Sequence, residues 1–378
     1  MTFVGRWRSL RNFAALRETG YLMGRSGRGE EIRQSVDIGI ETCAALNFDT
    51  HHTSRYPSEV PLFARVAQWI ERLPPEQEAA GSNPAAGITE TKGPPNSGPF
   101  VHRRMRRPRS FSNSLSTGLL MKIATWNVNS VLARLPQVVK WLEAASPDVL
   151  CMQETKCVDE KFPAEEFNRL GYISESFGQA AYNGVAILSR IGFEHVNRGM
   201  PDDVEGSQSR LISATIGGIR VVNVYIPNGQ AVGTEKYYFK LEWLRRLRAF
   251  FDSHYQPAER VLLCGDFNVA PEDRDVHDPV MWRGRILFSD PEKEALLQVK
   301  QWGLIDAFRM HNSEEKQFSW WDYRAGAFRR NMGLRIDHVW VTEPLAKQSV
   351  SIVIDREPRR WEKPSDHAPV VADFKLDQ

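Results

Sequence analysis

Short apolar runs, separated by polar or glycine- and proline-containing segments, fill the chain from residue 121 to its end. These runs predict buried strands, because they are too short to form stable helices. They cover residues 122–127, 148–154, 184–189, 211–216, 220–226, 260–264, 334–341 and 369–374. Longer segments with apolar residues at helical spacing or with capping residues predict helices after Pro136, over about residues 235–251, and from a cap at Asp290 to Gly303.

Many strands with few helices favour an α/β fold in which stacked sheets carry helices on their outer faces. The longest predicted helix has an apolar face formed by Tyr237, Leu241, Leu244 and Phe251. Residues 121–378 are enough for one domain of this type.

The first 120 residues differ from the rest, since they show no sustained strand or helix period. Their 16 basic side chains comprise 15 arginines and a single lysine. Residues 66–72, followed by 81–84, resemble the conceptual translation of a transfer-RNA gene. We therefore expect residues 1–120 to be an N-terminal extension produced by a start codon assigned too far upstream. A disordered basic arm, which could bind nucleic acid through residues 103–107, and an arginine-rich transit peptide are the alternatives.

The composition is that of an ordinary globular protein, with 42% hydrophobic and 25% charged residues. No apolar run approaches the ~18 residues that a membrane-spanning helix needs, and no signal segment opens the chain. The cysteines lack metal-type spacing, and Cys151 and Cys264 lie inside apolar runs, which fits a reducing, cytoplasmic location. Residues 121–378 carry 33 basic and 36 acidic side chains, so nucleic acid would be bound through local patches.

The segment Gly265-Asp266-Phe267-Asn268 follows a predicted buried strand. Asp266 and Asn268 are two positions apart, so in an extended chain their side chains point the same way. A carboxylate and an amide side by side can bind a hard cation or position a water molecule. The alternative is a turn in which both side chains bond to nearby backbone groups.

Polar side chains also end or begin other predicted strands. They are Asn127 and Asn129, Glu154, Tyr225 with Asn228, Asp337, and Asp366 with His367. Because sheets gather strand ends at a common edge, we expect these groups to lie together. Several acids buried together need a cation, and this oxygen-rich set without cysteine suits Mg²⁺ or Mn²⁺.

The motifs also resemble a known family. Matching segments are 126–129, 153–156, 182–185, 223–229, 265–268, 318–324, 334–337 and 363–369. In this order, the chain from Met121 onward resembles the exodeoxyribonuclease III and apurinic/apyrimidinic (AP) endonuclease branch of the endonuclease/exonuclease/phosphatase superfamily. The resemblance implies a catalytic domain over residues 121–378. The implied fold is a four-layer α/β sandwich, with two packed mixed β-sheets flanked by helices.

The resemblance also implies the roles of site residues. The metal-binding set would be Asn127, Glu154, Asp266, Asn268, Asp366 and His367, with Glu154 as the principal ligand. The catalytic set would be Tyr225, Asp266, Asn268, Asp337 and His367. In it, Asp266 handles a proton, Asn268 holds the phosphate, and His367 contacts the phosphate while Asp337 orients it. Which group deprotonates the attacking water stays open, because Asp266 needs a raised pKa for that role.

Substrate contacts are implied in the same way. Asn228 would contact phosphate, and Trp320, Leu334 and Ile336 would form an apolar pocket for a sugar that lacks its base. Apart from the resemblance, Arg324 is a candidate phosphate contact, although a charged side chain of this kind is more often solvated at the surface. Arg210, Lys156 and Lys236 are further candidates for phosphate contacts. Only one of the adjacent Trp320 and Trp321 can face inward on a strand, which leaves the other available for a pocket.

The function implied is a Mg²⁺-dependent DNA repair phosphodiesterase that incises duplex DNA 5′ to abasic sites and degrades it 3′ to 5′. We expect a cytoplasmic, nucleoid-associated monomer that binds duplex DNA at abasic sites or 3′ ends and does not bind membranes. The alternatives are a phosphoesterase of the same fold acting on RNA, a phospholipid or an inositol phosphate, and a DNA-binding module with a silent site.

Overall fold

Twelve strands form two six-stranded sheets in the computed structural model, which describes residues 118–377. In chain order they are β1 (Leu119–Asn127), β2 (Val149–Gln153), β3 (Ile173–Phe177), β4 (Val185–Ser189), β5 (Glu194–Arg198), β6 (Leu211–Ile216), β7 (Ile219–Tyr225), β8 (Val261–Asp266), β9 (Leu304–Asp306), β10 (Asp337–Thr342), β11 (Ser349–Ile354) and β12 (Val370–Leu376). The hypotheses about residues 1–117 concern residues outside this range.

The α-helices of the described residues are α1 (Leu135–Ala145), α2 (Ala164–Arg169), α3 (Glu235–His254), α4 (Pro279–Trp282), α5 (Asp290–Lys300), α6 (Ala307–His311) and α7 (Glu343–Ala346). The three longest, α1, α3 and α5, are the helices predicted from apolar spacing. Among residues 118–377, none of the helices combines the length and the apolar character needed to cross a bilayer.

Each sheet is mixed and contains one parallel pair at its centre. The first sheet has the order β11-β12-β1-β2-β4-β3, and the second has the order β5-β6-β7-β8-β10-β9. Strands β1 and β2 run parallel in the first sheet, as β7 and β8 do in the second, and the other pairs are antiparallel.

Alternating side chains place one apolar layer between the sheets and one on each outer face. Cys151 of β2 and Cys264 of β8 belong to the cluster between the sheets. Neighbouring Leu150 packs outward with residues of α1 and α2, and Leu263 packs outward with residues of α3 and α5. The predicted four-layer sandwich with helices outside is therefore confirmed.

A network of polar side chains also joins the two sheets across the space between them. The side-chain nitrogen of Gln153 donates to Thr125 Oγ1 at 2.8 Å and to Asn223 Oδ1 at 2.7 Å. Asn223 of the second sheet in turn donates to the carbonyl oxygens of Met152 and Ala186 in the first sheet, at 2.9 and 3.0 Å. Buried hydrogen bonds of this kind have defined geometry, so they favour one relative position of the sheets.

Several predicted boundaries differ from the observed ones. Strand β1 begins at Leu119 rather than after Met121, because β12 continues to Leu376 and supplies backbone partners for three more residues. The predicted boundary at residues 120/121 therefore falls inside a strand. Helix α5 is capped by Ser289, whose side chain and Glu292 form a reciprocal capping box, and not by Asp290.

Four strands have no counterpart in the predicted set: β3, β5, β9 and β11. Each is the outermost strand of its sheet, and none is buried along its whole length. Edge strands have only one neighbour and less buried surface, so their sequences lack a continuous apolar run.

The packing of β7 against β8 predicts that Gly265 tolerates no side chain. Gly265 has φ +138°, and a Cβ atom there would lie 1.9 Å from the carbonyl oxygen of Val224. We expect Gly265→Ala to lower the free energy of unfolding by at least about 4 kcal/mol, measured by urea denaturation. Gly192 is the matched control, since nothing lies within 4 Å of its Cβ position; Gly192→Ala should change stability by less than about 0.5 kcal/mol. Equal stability of the two variants would contradict this account.

Candidate active site

The strand arrangement brings the predicted polar residues to one edge of the sandwich. Asn127 and Asp266 end β1 and β8, Glu154 follows β2, and Asp337 begins β10 directly opposite Asp266. His367 precedes β12, which is antiparallel to β1. The edge therefore contains groups from both sheets.

Three of these residues are close enough to share one ion. Ligand atoms of Glu154, Asp266 and His367 all lie within 4.8 Å of one another. Asp366 lies at the rim instead. Its two carboxylate oxygens accept hydrogen bonds from Asn129 Nδ2 at 2.9 Å and from Trp320 Nε1 at 3.0 Å.

Asn127 connects the two acids of this group across the sheets. Its amide nitrogen donates to Glu154 Oε1 and to Asp266 Oδ2, both at 2.9 Å. Its oxygen accepts the backbone N–H of Asn129 at 3.0 Å. In this arrangement Asn127 turns its nitrogen, and not a ligand oxygen, toward the carboxylates.

Glu154 is held in its ionised form. Burial opposes ionisation, but the ammonium of Lys156, 2.7 Å from Glu154 Oε2, and the amide of Asn127 outweigh it, so the pKa of Glu154 is lowered. Lys156 Nζ also donates to Asn129 Oδ1 at 2.7 Å. Lys156, predicted as a candidate phosphate contact, is here the partner of Glu154.

Asp266 is almost fully buried and accepts three N–H groups. These are the backbone N–H of Asn268 at 2.9 Å and the side-chain amides of Asn127 at 2.9 Å and Asn268 at 3.2 Å. Burial is the largest influence, and with the charges of Asp337 and Glu154 it raises the pKa of Asp266 to about 7, against the opposing influence of His367. A carboxyl group with this pKa can exchange a proton near neutral pH.

His367 lies between two buried acids. Its Nδ1 is 2.9 Å from Asp337 Oδ2, and its Nε2 is 3.8 Å from Asp266 Oδ2. Burial disfavours the charged imidazolium, but Asp337 and then Asp266 outweigh that effect and raise the pKa of His367 to about 10. The predicted orientation of His367 by Asp337 thus agrees with the geometry, and Nε2 is the nitrogen directed toward the site.

A pair of amides borders the acids. Asn228 Nδ2 donates to Asn268 Oδ1 at 3.0 Å, and Asn268 Nδ2 donates to the carbonyl oxygen of Ile226 at 3.0 Å. Asn268 has a left-handed backbone with φ +50°. The loops after β7 and β8 are therefore joined through side chains as well as through the sheet.

Tyr225 ends β7 directly beside Asp266. Arg210 stacks on its ring, with the guanidinium carbon 4.6 Å from the ring centre, and donates to the carbonyl oxygen of Tyr225 at 3.1 Å. Burial and the carboxylate of Glu154 raise the pKa of Tyr225 well above its ordinary value, so its phenol keeps the proton.

The residues predicted to bind substrate differ in location, since three of them pack together and one lies on the surface. Trp320 is partly exposed while its neighbour Trp321 is fully buried, as the alternation predicts. Leu334 and Ile336 are only 0% and 2% exposed and pack in one cluster with Trp320. Arg324 is highly exposed and pairs with Asp322 at 2.6 Å. The structure groups Trp320, Leu334 and Ile336, whereas Arg324 lies on the surface with a local partner.

Asn129 is a site residue to which the sequence analysis assigned no role. It bonds to Asn127, Lys156 and Asp366, so it connects the acids to their rim. Asn129 follows Asn127 by two residues, which is the same spacing that separates Asn268 from Asp266.

Comparison with known proteins identifies the family of this chain. Residues 124–367 match the profile described as the endonuclease/exonuclease/phosphatase family, and the match covers more than half of the chain. The chain belongs to this family. Exodeoxyribonuclease III of Haemophilus influenzae is 36% identical over 267 residues, which are 68% of this chain and 100% of that protein.

Solved structures of family members agree. An AP endonuclease from Archaeoglobus fulgidus has 41% sequence identity and a TM-score of 0.66, and the alignment covers 68% of this chain and 100% of the other. The 3′ phosphatase NExo from Neisseria, bound to a product DNA hairpin, has 40% identity and a TM-score of 0.65, with coverage of 67% and 99%. The predicted resemblance to the exodeoxyribonuclease III and AP endonuclease group is confirmed, and the family member described here is a DNA repair nuclease.

The environment of His367 predicts an unusual titration. In chelator-treated protein, the imidazole signals of His367 in NMR spectra should titrate near pH 10. Asp337→Asn should lower this pKa by at least about 1 unit, since it removes the nearest opposite charge. An unchanged midpoint in Asp337→Asn would contradict the assignment of Asp337 as the dominant partner.

The same shift has a defined effect on stability. The folded pKa of His367 lies above the ordinary value of 6.5, so the folded state binds more protons between these pH values. The stability contributed by His367 is therefore fully present below about pH 6.5 and is lost as the pH rises through about 10. Urea denaturation of the parent and of His367→Gln should show a stability difference that declines over this interval.

Proposed function

We propose that the protein is a Mg²⁺-dependent phosphodiesterase that incises duplex DNA 5′ to abasic sites and degrades DNA 3′ to 5′. The observation that carries the proposal is the convergence of Glu154, Asp266 and His367 within 4.8 Å at one edge of the sandwich. Each group comes from a different strand end, and the three differ in protonation. Such a set can both stabilise an anionic phosphate and move a proton.

The chain's own residues provide the acid–base chemistry. Asp266, with a pKa of about 7, accepts the proton of the attacking water or supplies the proton of the leaving 3′ oxygen. His367 stays protonated, because Asp337 holds Nδ1, and directs its Nε2–H toward a phosphate oxygen. Tyr225 adds a neutral phenolic donor.

Positioned donors stabilise the charge that develops in the transition state. A fixed donor of this kind contributes about 3 kcal/mol in enzymes where it has been removed. Asn228 and Asn268 form an amide pair beside Asp266, and their hydrogen bonds to each other and to Ile226 hold that pair in place. We assign the phosphate to the space that these amides share with His367.

The donor set fits a hard cation. Glu154 is ionised, Asp266 is next to it, and the group contains carboxylate oxygens and one imidazole but no thiolate. A divalent cation held by Glu154 would polarise a phosphoryl oxygen and neutralise negative charge, and Asp266 would then remain available for the proton. Mg²⁺ suits oxygen ligands best, and Mn²⁺ can replace it. The outward hydrogen bonds of Asp366 make it a residue of the rim in this proposal.

DNA is the substrate that the relatives favour. One structural neighbour is named an AP endonuclease, and another was solved with a product DNA hairpin. The apolar cluster of Trp320, Leu334 and Ile336 lies beside the site through the backbone pairing of Trp320 with Leu334 and His367. An extruded abasic nucleotide costs less to expose than a paired base, which favours such a pocket for damaged sites. A monomer associated with the nucleoid is consistent with this substrate.

Incubation of the purified protein with a duplex carrying one abasic analogue tests the proposal. We expect a single incision 5′ to the analogue with Mg²⁺, and none with chelator. Undamaged duplex with recessed 3′ ends should be shortened from those ends. An uncut abasic duplex, together with hydrolysis of RNA or an inositol phosphate, would replace DNA repair with another phosphoesterase activity. Binding without cleavage of any of these would indicate a silent site.

Replacement of Glu154 tests the metal assignment. Glu154→Gln removes the charge but keeps the shape, so we expect incision at least about 100-fold slower than in the parent. Mg²⁺ should raise the melting temperature of the parent by linkage but leave that of Glu154→Gln unchanged. Glu165→Gln is the matched control, because Glu165 is exposed in α2. A variant that keeps both activity and the Mg²⁺ effect would contradict the assignment.

A further inference from the structure

A buried ion pair below the site has no part in the chemistry described above. Lys240 in α3 and Glu292 in α5 are both fully buried, and Lys240 Nζ lies 2.5 Å from Glu292 Oε1. The apolar spacing predicted that Leu241 rather than Lys240 would face the core. A buried pair is weak evidence for stability, because well-packed apolar residues of the same volume often serve equally well. The other bonds of the pair therefore indicate its role.

The ammonium of Lys240 uses its other donors on two active-site loops. Nζ donates to the carbonyl oxygen of Asn268 at 2.6 Å and to that of Asn228 at 3.2 Å. With Glu292, all three donors of the ammonium have partners. One charged group thus connects the loop after β7, the loop after β8 and the start of α5.

These two loops carry the amide pair assigned above to the phosphate. Asn228 and Asn268 bond to each other through their side chains, while Lys240 donates to the main-chain carbonyl oxygens of both residues. Gly229, at φ +88°, packs tightly here, since a Cβ atom on it would lie 3.2 Å from Lys240 Cδ. The spacing of the two amides therefore depends on a clamp that does not itself reach the substrate.

Glu292 extends the clamp to the apolar cluster. Its carboxylate accepts the backbone N–H groups of Leu287 at 3.1 Å and Ser289 at 3.0 Å, and the hydroxyl of Ser289 at 2.6 Å. Leu287 packs in the same cluster as Leu334 and Ile336. The pair therefore connects the proposed sugar pocket to the phosphate-binding amides.

We propose that Lys240 and Glu292 are a positioning pair that sets the distance between the Asn228–Asn268 amides and the sugar pocket. This inference rests on the proposed function. In the proposed function, the amides act on the charge that develops on the phosphate as it reacts, and such interactions affect turnover more than binding. Loss of the pair should therefore reduce turnover far more than DNA affinity.

The test variant removes both charges at once, because either single neutralisation leaves a buried charge without its partner. In Lys240→Met/Glu292→Gln, methionine replaces the aliphatic stem, and glutamine still serves as the third residue of the capping box. Leu247→Ala is the matched control, since Leu247 is a fully buried residue of the same helix that packs in the outer apolar cluster. Its apolar side chain makes no hydrogen bond to either loop, so its replacement should lower stability through lost packing.

Kinetics at a temperature where each protein is folded, as checked by circular dichroism, give the decisive comparison. We expect kcat on the abasic duplex to fall at least tenfold in the double variant, with Kd for that duplex within threefold of the parent. Leu247→Ala should keep kcat within twofold. A double variant with kcat within twofold of the parent, or an equal loss of kcat in Leu247→Ala, would overturn the inference.

Two further measurements can contradict the proposal even if the double variant does not fold or the parent is inactive. If the double variant does not fold, Lys240→Arg keeps the charge beside Glu292 but replaces the compact ammonium with a larger planar group; folded Lys240→Arg with parental kcat would refute the proposal. The side-chain amide signals of Asn228 in NMR spectra need no substrate, and they should shift or broaden in the variant. An inactive parent would overturn the proposed function alone, whereas unchanged amide signals in a folded variant would overturn the positioning role.

Discussion

A single imidazole between two buried carboxylates is the interaction on which this site depends. Asp266 and Asp337 are direct neighbours on β8 and β10, so the pairing of those strands alone would bring two like charges together. His367 comes from the other sheet and faces both acids. The arrangement forms only when the sheets are stacked. Burial and then the charge of Asp337 raise the pKa of Asp266, and the charges of Asp337 and Asp266 raise that of His367. Fold and site therefore share one electrostatic constraint.

The remaining charges near the acid group are held in ion pairs, Glu154 with Lys156 and Lys240 with Glu292. Lys156 neutralises Glu154 from the side of the first sheet, and Lys240 lies beneath the amides on the side of the second. Neutral amides fill the space between them, with Asn127 bonded to an acid of each sheet. Every described carboxylate of this group accepts at least one hydrogen bond or contacts the imidazole of His367.

The strand ends could be predicted from sequence because burial on both faces produces uninterrupted apolar runs. The same logic failed for the edge strands, whose exposed positions are polar, and for Lys240, whose burial depends on partners in α5 and two loops. Motif resemblance supplied the roles of Glu154, Asp266 and His367, but it could not supply their pKa values. Those depend on burial and on the distances between groups of separate segments, such as His367 and Asp337. The roles of Arg324, Leu334 and Ile336 stay predictions, since their contacts in this structure are with other protein groups.

The pairing of β1 with β12 affects the order in which the protein can fold during its synthesis. Leu119 lies opposite Leu376, so the opening strand of the first sheet stays incomplete until the closing strand is available. Contacts of such long sequence separation slow folding. On the ribosome, Asn127 emerges long before His367, and the nascent chain holds an unfinished sheet edge throughout that interval. The histidine of the site therefore joins its acids only after almost all of the described residues have left the ribosome.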